Sequence, residues 1–145
     1  MNGENFTQML VEAFNQAKSL CEKNGHQEIT PAILAKTLLD QPDGLVPEII
    51  REAKAEGQAL AKAIETAVLK TPKISGATSV YFSPSIQDAI KSAEKYAQGL
   101  GDTFLSTDTF FLGLLDTPSL SFAPKSAGIK TTKLLEILKG LRKGQ

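Results

Sequence analysis

Apolar side chains fall at Phe6, Met9, Leu10, Ala13, Phe14, Ala17, Leu20 and Cys21. The spacing i, i+3, i+4, i+7, i+8 is one face of a helix. Asn24-Gly25 then offers a left-handed stop, and Thr30-Pro31 a cap with proline at the first helical position. Ile33, Leu34, Leu38 and Leu39 form the apolar face of the helix that follows, and Pro42-Asp43-Gly44 ends it. A short third helix is predicted around residues 46–55, with Val46, Ile49, Ile50 and Ala53 inward and Gly57 as its breaker. A fourth runs to about Lys70, with Leu60, Ile64, Ala67 and Val68 inward.

The pattern then repeats. Ile86, Ala89, Ile90, Ala93, Tyr96 and Ala97 lie 76 residues after the face from Leu10 to Cys21, the separation of Gly25 from Gly101. At that same separation Ile29 meets Leu105, Thr30 meets Ser106, Leu38-Leu39-Asp40 meets Leu114-Leu115-Asp116, and Pro42 meets Pro118. A shared spacing across turn, cap, core and stop marks an internal duplication. After a turn and short helix at 118–125 the spacing becomes 74, as Ala127 is from Ala53 and Leu134 from Leu60. Thr131 or Thr132 is expected to cap a last helix with Leu134, Leu135, Ile137, Leu138 and Leu141 apolar. Its basic end, Lys139, Arg142 and Lys143, suits the negative pole of a helix.

No segment alternates as a strand does. The expected fold is all-α, with eight helices in two pseudo-twofold four-helix repeats: about 6–70, a linker over 71–80 with no period, and about 82–143. Neither repeat alone buries its long first helix, so the halves should share one core, and 1–145 should be one domain. Asp40 and Asp116 end helices at the unfavourable pole. Their carboxylates are expected to accept from turn or following-helix amides.

Composition narrows the function. Lys+Arg 16 against Asp+Glu 16 argues against nucleic-acid binding, which rests on neutralising phosphates. One cysteine, Cys21, excludes an internal disulfide, and a single His with a single Cys builds no metal set. A Cys21–His26 nucleophile pair would need contact and a third orienting group; the favoured reading is a buried inert thiol and a loop imidazole. There is no phosphate-binding G-x-x-x-x-G-K-[ST] loop. The start is polar and no run approaches the ~20 apolar residues of a membrane span. The expectation is a soluble cytoplasmic protein, not an enzyme by itself, with no catalytic and no metal-binding residues.

A binding surface remains, along the seam between the repeats. Thr7, Asp102 and Asp108 are its polar candidates, and Tyr81, Phe82 and Ile90 its apolar ones. Each has a structural alternative: Thr7 as a helix cap, Asp108 as a first-turn acid facing the helix dipole, Phe82 as a staple across Ser83.

Two copies of long helix, Gly turn and Thr/Ser-capped apolar helix ending Leu-Leu-Asp, then a short and a final helix, resemble the N-terminal domain of the Clp ATPase chaperones over the whole chain. Gly25-His26-Gln27-Glu28-Ile29-Thr30-Pro31 is similar to that family's first turn. Gly101-Asp102-Thr103-Phe104-Leu105-Ser106-Thr107-Asp108 is similar to its second. The nearest branch is the ClpB-type disaggregases, whose groove is similar to Thr7, Asp102 and Asp108 here. The resemblance implies capture of exposed apolar segments of unfolded or aggregated clients. It places ATP and Mg in separate ATPase modules of a longer, hexameric parent, with no cofactor in this chain and the isolated domain monomeric. Docking of an adaptor or folded partner, as for a Clp protease or a secretion-sheath-recycling ATPase, is the alternative. The branch that recognises phosphorylated arginine has an acid after the cap in both repeats. Here Ala32 stands opposite Asp108, which speaks against a twofold phosphoarginine site.

Overall fold

The first helix, α1 (Gln8–Asn24), buries the stripe that its spacing marks: Leu10, Ala13, Phe14, Ala17 and Cys21. Thr7 caps it, its hydroxyl accepting from the Leu10 amide, and Gly25 at φ 83° ends it. A computed structural model describes residues 5–74 and 79–144, so residues 75–78 of the expected linker lie outside the described residues. Seven further helices follow: α2 (Pro31–Leu39), α3 (Leu45–Glu52), α4 (Lys54–Leu69), α5 (Ser85–Leu100), α6 (Thr107–Leu115), α7 (Phe122–Ala127) and α8 (Thr131–Lys143). The all-α architecture of two four-helix halves is as expected. Every residue of α6 is buried, so it is the central helix of the core.

The pseudo-twofold relation is visible in the packing. α4 lies against α7 and α8 against α3, one contact made twice, while α2 and α6 meet near the axis. Buried apolar residues of both halves form one cluster. The halves also exchange short extended segments. β1 (Glu28–Ile29) pairs in parallel with β2 (Tyr81–Phe82), and Phe6 pairs in parallel with Leu105. These pairs are equivalents at the 76-residue spacing, and each joins the arm before one long helix to the turn of the other half. They are corrections to the expectation of no strand. Two residues are too few for an alternation signal.

Three more local expectations give way to packing. Gly57 does not break a helix but lies inside α4. A Cβ there would sit 2.0 Å from the Ile50 carbonyl oxygen, so the glycine lets α3 cross α4 closely. The last helix is preceded by Lys130, with no side-chain cap from Thr131 or Thr132. Leu20, placed on the apolar face, is 43% exposed.

Asp40 and Asp116 also depart from expectation. Asp40 pairs with Lys36 one turn back, at 2.9 Å. Asp116 accepts from Ser92 Oγ and Tyr96 Oη of α5, both at 2.8 Å. The turn amides were not free to reach them, because the Gln41 and Thr117 amides already donate to the Leu38 and Leu114 carbonyls. Burial, with the Asp116 hydrogen bond adding to it, pushes the Tyr96 hydroxyl up to about 12.

The junction between α3 and α4 carries local strain. Lys54 has φ 56°, whereas Gly128, its equivalent between α7 and α8, has φ 76°. A side chain in the left-handed region costs about 1–2 kcal/mol, and glycine returns part of that through unfolded-state entropy. Lys54→Gly should therefore raise stability by about 1 kcal/mol, read as a higher urea midpoint at unchanged slope. A lower midpoint would mean that the Lys54 stem contributes packing that outweighs the strain.

Candidate functional site

The pseudo-twofold strand pairs help bring four aromatic rings into one cluster centred on Phe14. Phe14 of α1 has its ring centroid 5.4 Å from Phe6, 5.4 Å from Phe82 and 5.2 Å from Phe110. Both strand pairs thus converge on Phe14, with Phe110 of α6 beneath. Tyr81 and Phe82 of β2 remain exposed, at 51% and 36%, and so does Phe104, beside Leu105, at 50%. Such exposed aromatic area beside a packed aromatic cluster is the kind of surface that contacts partners. Phe82 is packed across the seam onto Phe14.

Of the other apolar candidates, Ile90 is buried in the core, in the position equivalent to Phe14. Its expected place on an open groove is thereby corrected: α5 turns it inward as α1 turns Phe14. Phe104, exposed, and Phe6, half-buried against the buried Phe14, lie on the same face. The signal that could have found Phe6 is the 76-residue spacing itself, which aligns it with Phe82.

Thr7 stands next to Phe6. Its amide donates to the Leu105 carbonyl at 2.9 Å, and the Leu105 amide donates to the Asn5 carbonyl at 2.7 Å. The Thr7 hydroxyl is used by the α1 cap, so its structural reading holds.

Asp102 and Asp108 are brought together, and between them lies Arg142 of α8. Its Nη1 and Nη2 donate to the two Asp102 oxygens at 2.8 and 2.9 Å. Its Nε and Nη2 donate to Asp108 Oδ2 at 3.1 and 3.0 Å. Asp108 is 2% exposed and Arg142 keeps 27% of its side chain in solvent. Asp108 Oδ1 also accepts from the Thr109 amide at 2.7 Å and from the Ser106 hydroxyl. Ser106 caps α6 in a capping box with Thr109, whose hydroxyl accepts from the Ser106 amide, and the Thr109 amide is shared with Asp108. The Asp102 hydrogen bonds, and then the Asp108 charge, hold the Arg142 proton above the ordinary guanidinium value against the opposing effect of burial. Sequence reading assigned Arg142 only to the helix pole. Its partners are 40 and 34 residues away and no local pattern joins them.

Cys21 is buried, and burial, aided by Glu22, pushes its thiol up to about 11, away from nucleophilic use. His26, expected in a loop, is buried too, with Nδ1 3.2 Å from the Pro72 carbonyl oxygen. The Ile74 amide donates to the Gly25 carbonyl at 2.8 Å, so the chain after α4 runs back along this turn and covers the imidazole. Among the described residues no helix is long and apolar enough to cross a membrane.

Residues 5–123 match the family model of the Clp repeat (R) N-terminal domain. The chaperone protein ClpB of Rhodopseudomonas palustris is 35% identical over the whole of this chain, and that of Bacteroides thetaiotaomicron is 30% identical over the same extent. The chain spans 17% of the length of either relative. Among solved structures, the N-terminal domain of Hsp104 from Candida albicans superposes with a TM-score of 0.79 at 20% identity, covering 98% of this chain and 94% of that one. A ClpV N-domain in complex with a VipB peptide superposes with a TM-score of 0.69 at 22% identity, covering 92% and 88%. With two helical repeats joined across a pseudo-twofold seam and the family pattern running through most of its length, this chain belongs to the Clp repeat N-terminal domain family.

Proposed function

We propose that the chain is the substrate-binding N-terminal domain of a ClpB-type disaggregase, one domain over 1–145, which captures exposed apolar segments of unfolded or aggregated proteins along the seam. The observation that carries this reading is the pair of half-exposed aromatics, Tyr81 and Phe104, flanking the two strand pairs that meet on Phe14. The 35% identity to a ClpB chaperone supports it. On this reading the domain is a non-catalytic, cytoplasmic accessory. ATP and Mg belong to ATPase modules elsewhere in the parent, and the partners are client polypeptides, not nucleic acid or membrane.

Each half-exposed aromatic that a client covers contributes about 1 kcal/mol, half of a full burial. Ordering a flexible client opposes this, so one domain binds weakly. Several tethered copies in a hexameric parent would raise avidity without new contacts. The test is anisotropy with labelled, reduced and carboxymethylated α-lactalbumin, which stays unfolded. Tyr81→Ser/Phe104→Ser should weaken binding at least about tenfold, two lost anchors, with little change in melting temperature. Equal affinity for wild type and variant would remove the seam from the reading.

Docking of an adaptor or folded partner is the second reading. The ClpV N-domain solved with a VipB peptide favours it. Binding of a short defined peptide, with no binding of unfolded α-lactalbumin, would select it.

A further inference from the structure

The two halves close the same corner with different chemistry. Asp108 and Arg142 correspond to Ala32 and Val68, at spacings of 76 and 74 residues, and Asp102 corresponds to His26. In the first half Ala32 is buried and Val68 packs on the core. In the second half three charged side chains occupy those places. The fold therefore does not demand an ionic corner, since its own other half does without one.

The ionic corner flanks the Phe6–Leu105 pairing. Asp102 starts the turn, with its amide on the Ala97 carbonyl at 2.8 Å. Asp108 follows its end at the start of α6, and Arg142 ties both to the last turn of α8. Between them hang Phe104, exposed, and Leu105, whose amide and carbonyl make the pairing with Asn5 and Thr7. Both Asp102 oxygens and both Asp108 oxygens are already engaged by groups of the same chain.

We propose that Arg142 is a positioning residue: by spanning Asp102 and Asp108 it holds the 102–106 turn in place, and the two acids serve the binding surface through that order, without touching the client. This rests on the client-capture reading above. It predicts that the residues of the first half can replace the ionic unit without loss of binding. A forked guanidinium suits such a span, whereas lysine can serve only as a point charge.

Two readouts separate positioning from direct contact: binding of carboxymethylated α-lactalbumin, and hydrogen exchange at the Leu105 and Thr7 amides, both at 10 °C. Arg142→Gln and Asp108→Ala should each weaken binding about fivefold and speed exchange at both amides about tenfold or more through local opening. Asp102→His/Asp108→Ala/Arg142→Val, which installs all three residues of the first half, should return both readouts to within about twofold of wild type, the shift left once the local opening is closed again. Arg142→Lys should fall between wild type and Arg142→Gln in both. Restored exchange with binding still lost in the triple variant would mean that the acids meet the client directly and would overturn the proposal. So would single variants with unchanged exchange, or an Arg142→Lys protein with wild-type exchange and lost binding. The full exchange pattern in a protein that binds no α-lactalbumin supports the positioning role and sinks the client-capture reading instead.

Discussion

Gly113→Ala should lower the melting temperature by roughly 10 °C, from an expected loss of about 3 kcal/mol and a response of about 3 °C per kcal/mol for a chain of this size. Gly113 lies in the middle of α6, the fully buried helix, where α5 crosses it. A Cβ there would be 2.3 Å from the Ala89 carbonyl oxygen, 2.9 Å from the Ala93 nitrogen and 3.1 Å from the Ala93 Cβ. All three belong to the α5 backbone or its first side-chain atom, so no flexible tip can swing away. The added methyl must push α5 off α6, and with it Ile86, Ala89 and Ile90, which the core buries. Alanine's better helix propensity, worth about 1 kcal/mol over glycine, offsets only part. Gly99→Ala is the matched control: the same helix-former gain, with nothing within 4 Å of the new Cβ. It should be neutral or slightly stabilising. If calorimetry gave both variants the same melting temperature, α5 and α6 could not be as close as they are described. The first half has Thr37 at the position of Gly113, its hydroxyl donating to the Ile33 carbonyl at 2.8 Å, so close approach at this crossing is a property of the second half alone.

The second large effect is electrostatic. Arg142→Ala should cost about 3 kcal/mol in urea unfolding, the lower end of what breaking a buried pair costs, because Arg142 keeps partial contact with water. Most of the loss comes from Asp108. It stays buried at the start of α6, with only the Thr109 amide, the Ser106 hydroxyl and the positive helix pole for compensation. Asp108→Asn, which keeps a polar group there but removes the charge, should cost about 1–2 kcal/mol. Lys36→Ala, which breaks the exposed pair with Asp40, should cost no more than about 0.5 kcal/mol. That ordering is the check. If Arg142→Ala cost no more than Lys36→Ala, water would have to reach Asp108 in the native protein.

How much of this was legible in the chain follows from what each signal depends on. The faces of α1 and α5, the Gly25 and Gly101 stops and the Thr30 cap were legible because they arise within a few residues of sequence. The duplication extended that reach to pairs such as Phe6 and Phe82, which share a role because they share a register. The strands were not legible: two residues carry no period, and their partners come from the opposite half. The positions of Ile90 and Gly57 were misjudged for one reason. Their roles depend on which helix lies against them, Ile90 inward beneath the seam and Gly57 under the Ile50 carbonyl.

The candidate site divides along the same line. Tyr81 and Phe82 could be named from the sequence, since an aromatic pair before a helix start stands out. Asp102 and Asp108 stood out as the places where the repeats differ most in charge, against His26 and Ala32. What they do there was decided by Arg142, which reaches them from the last helix. By itself the sequence determined that eight helices form two copies, because helical periodicity is written locally in side-chain polarity. Only the tertiary structure decided that the acids are engaged by the chain's own guanidinium and that Phe6, Phe82 and Phe110 gather on Phe14. Such contacts depend on distances across elements far apart in the chain, and composition and spacing do not encode them.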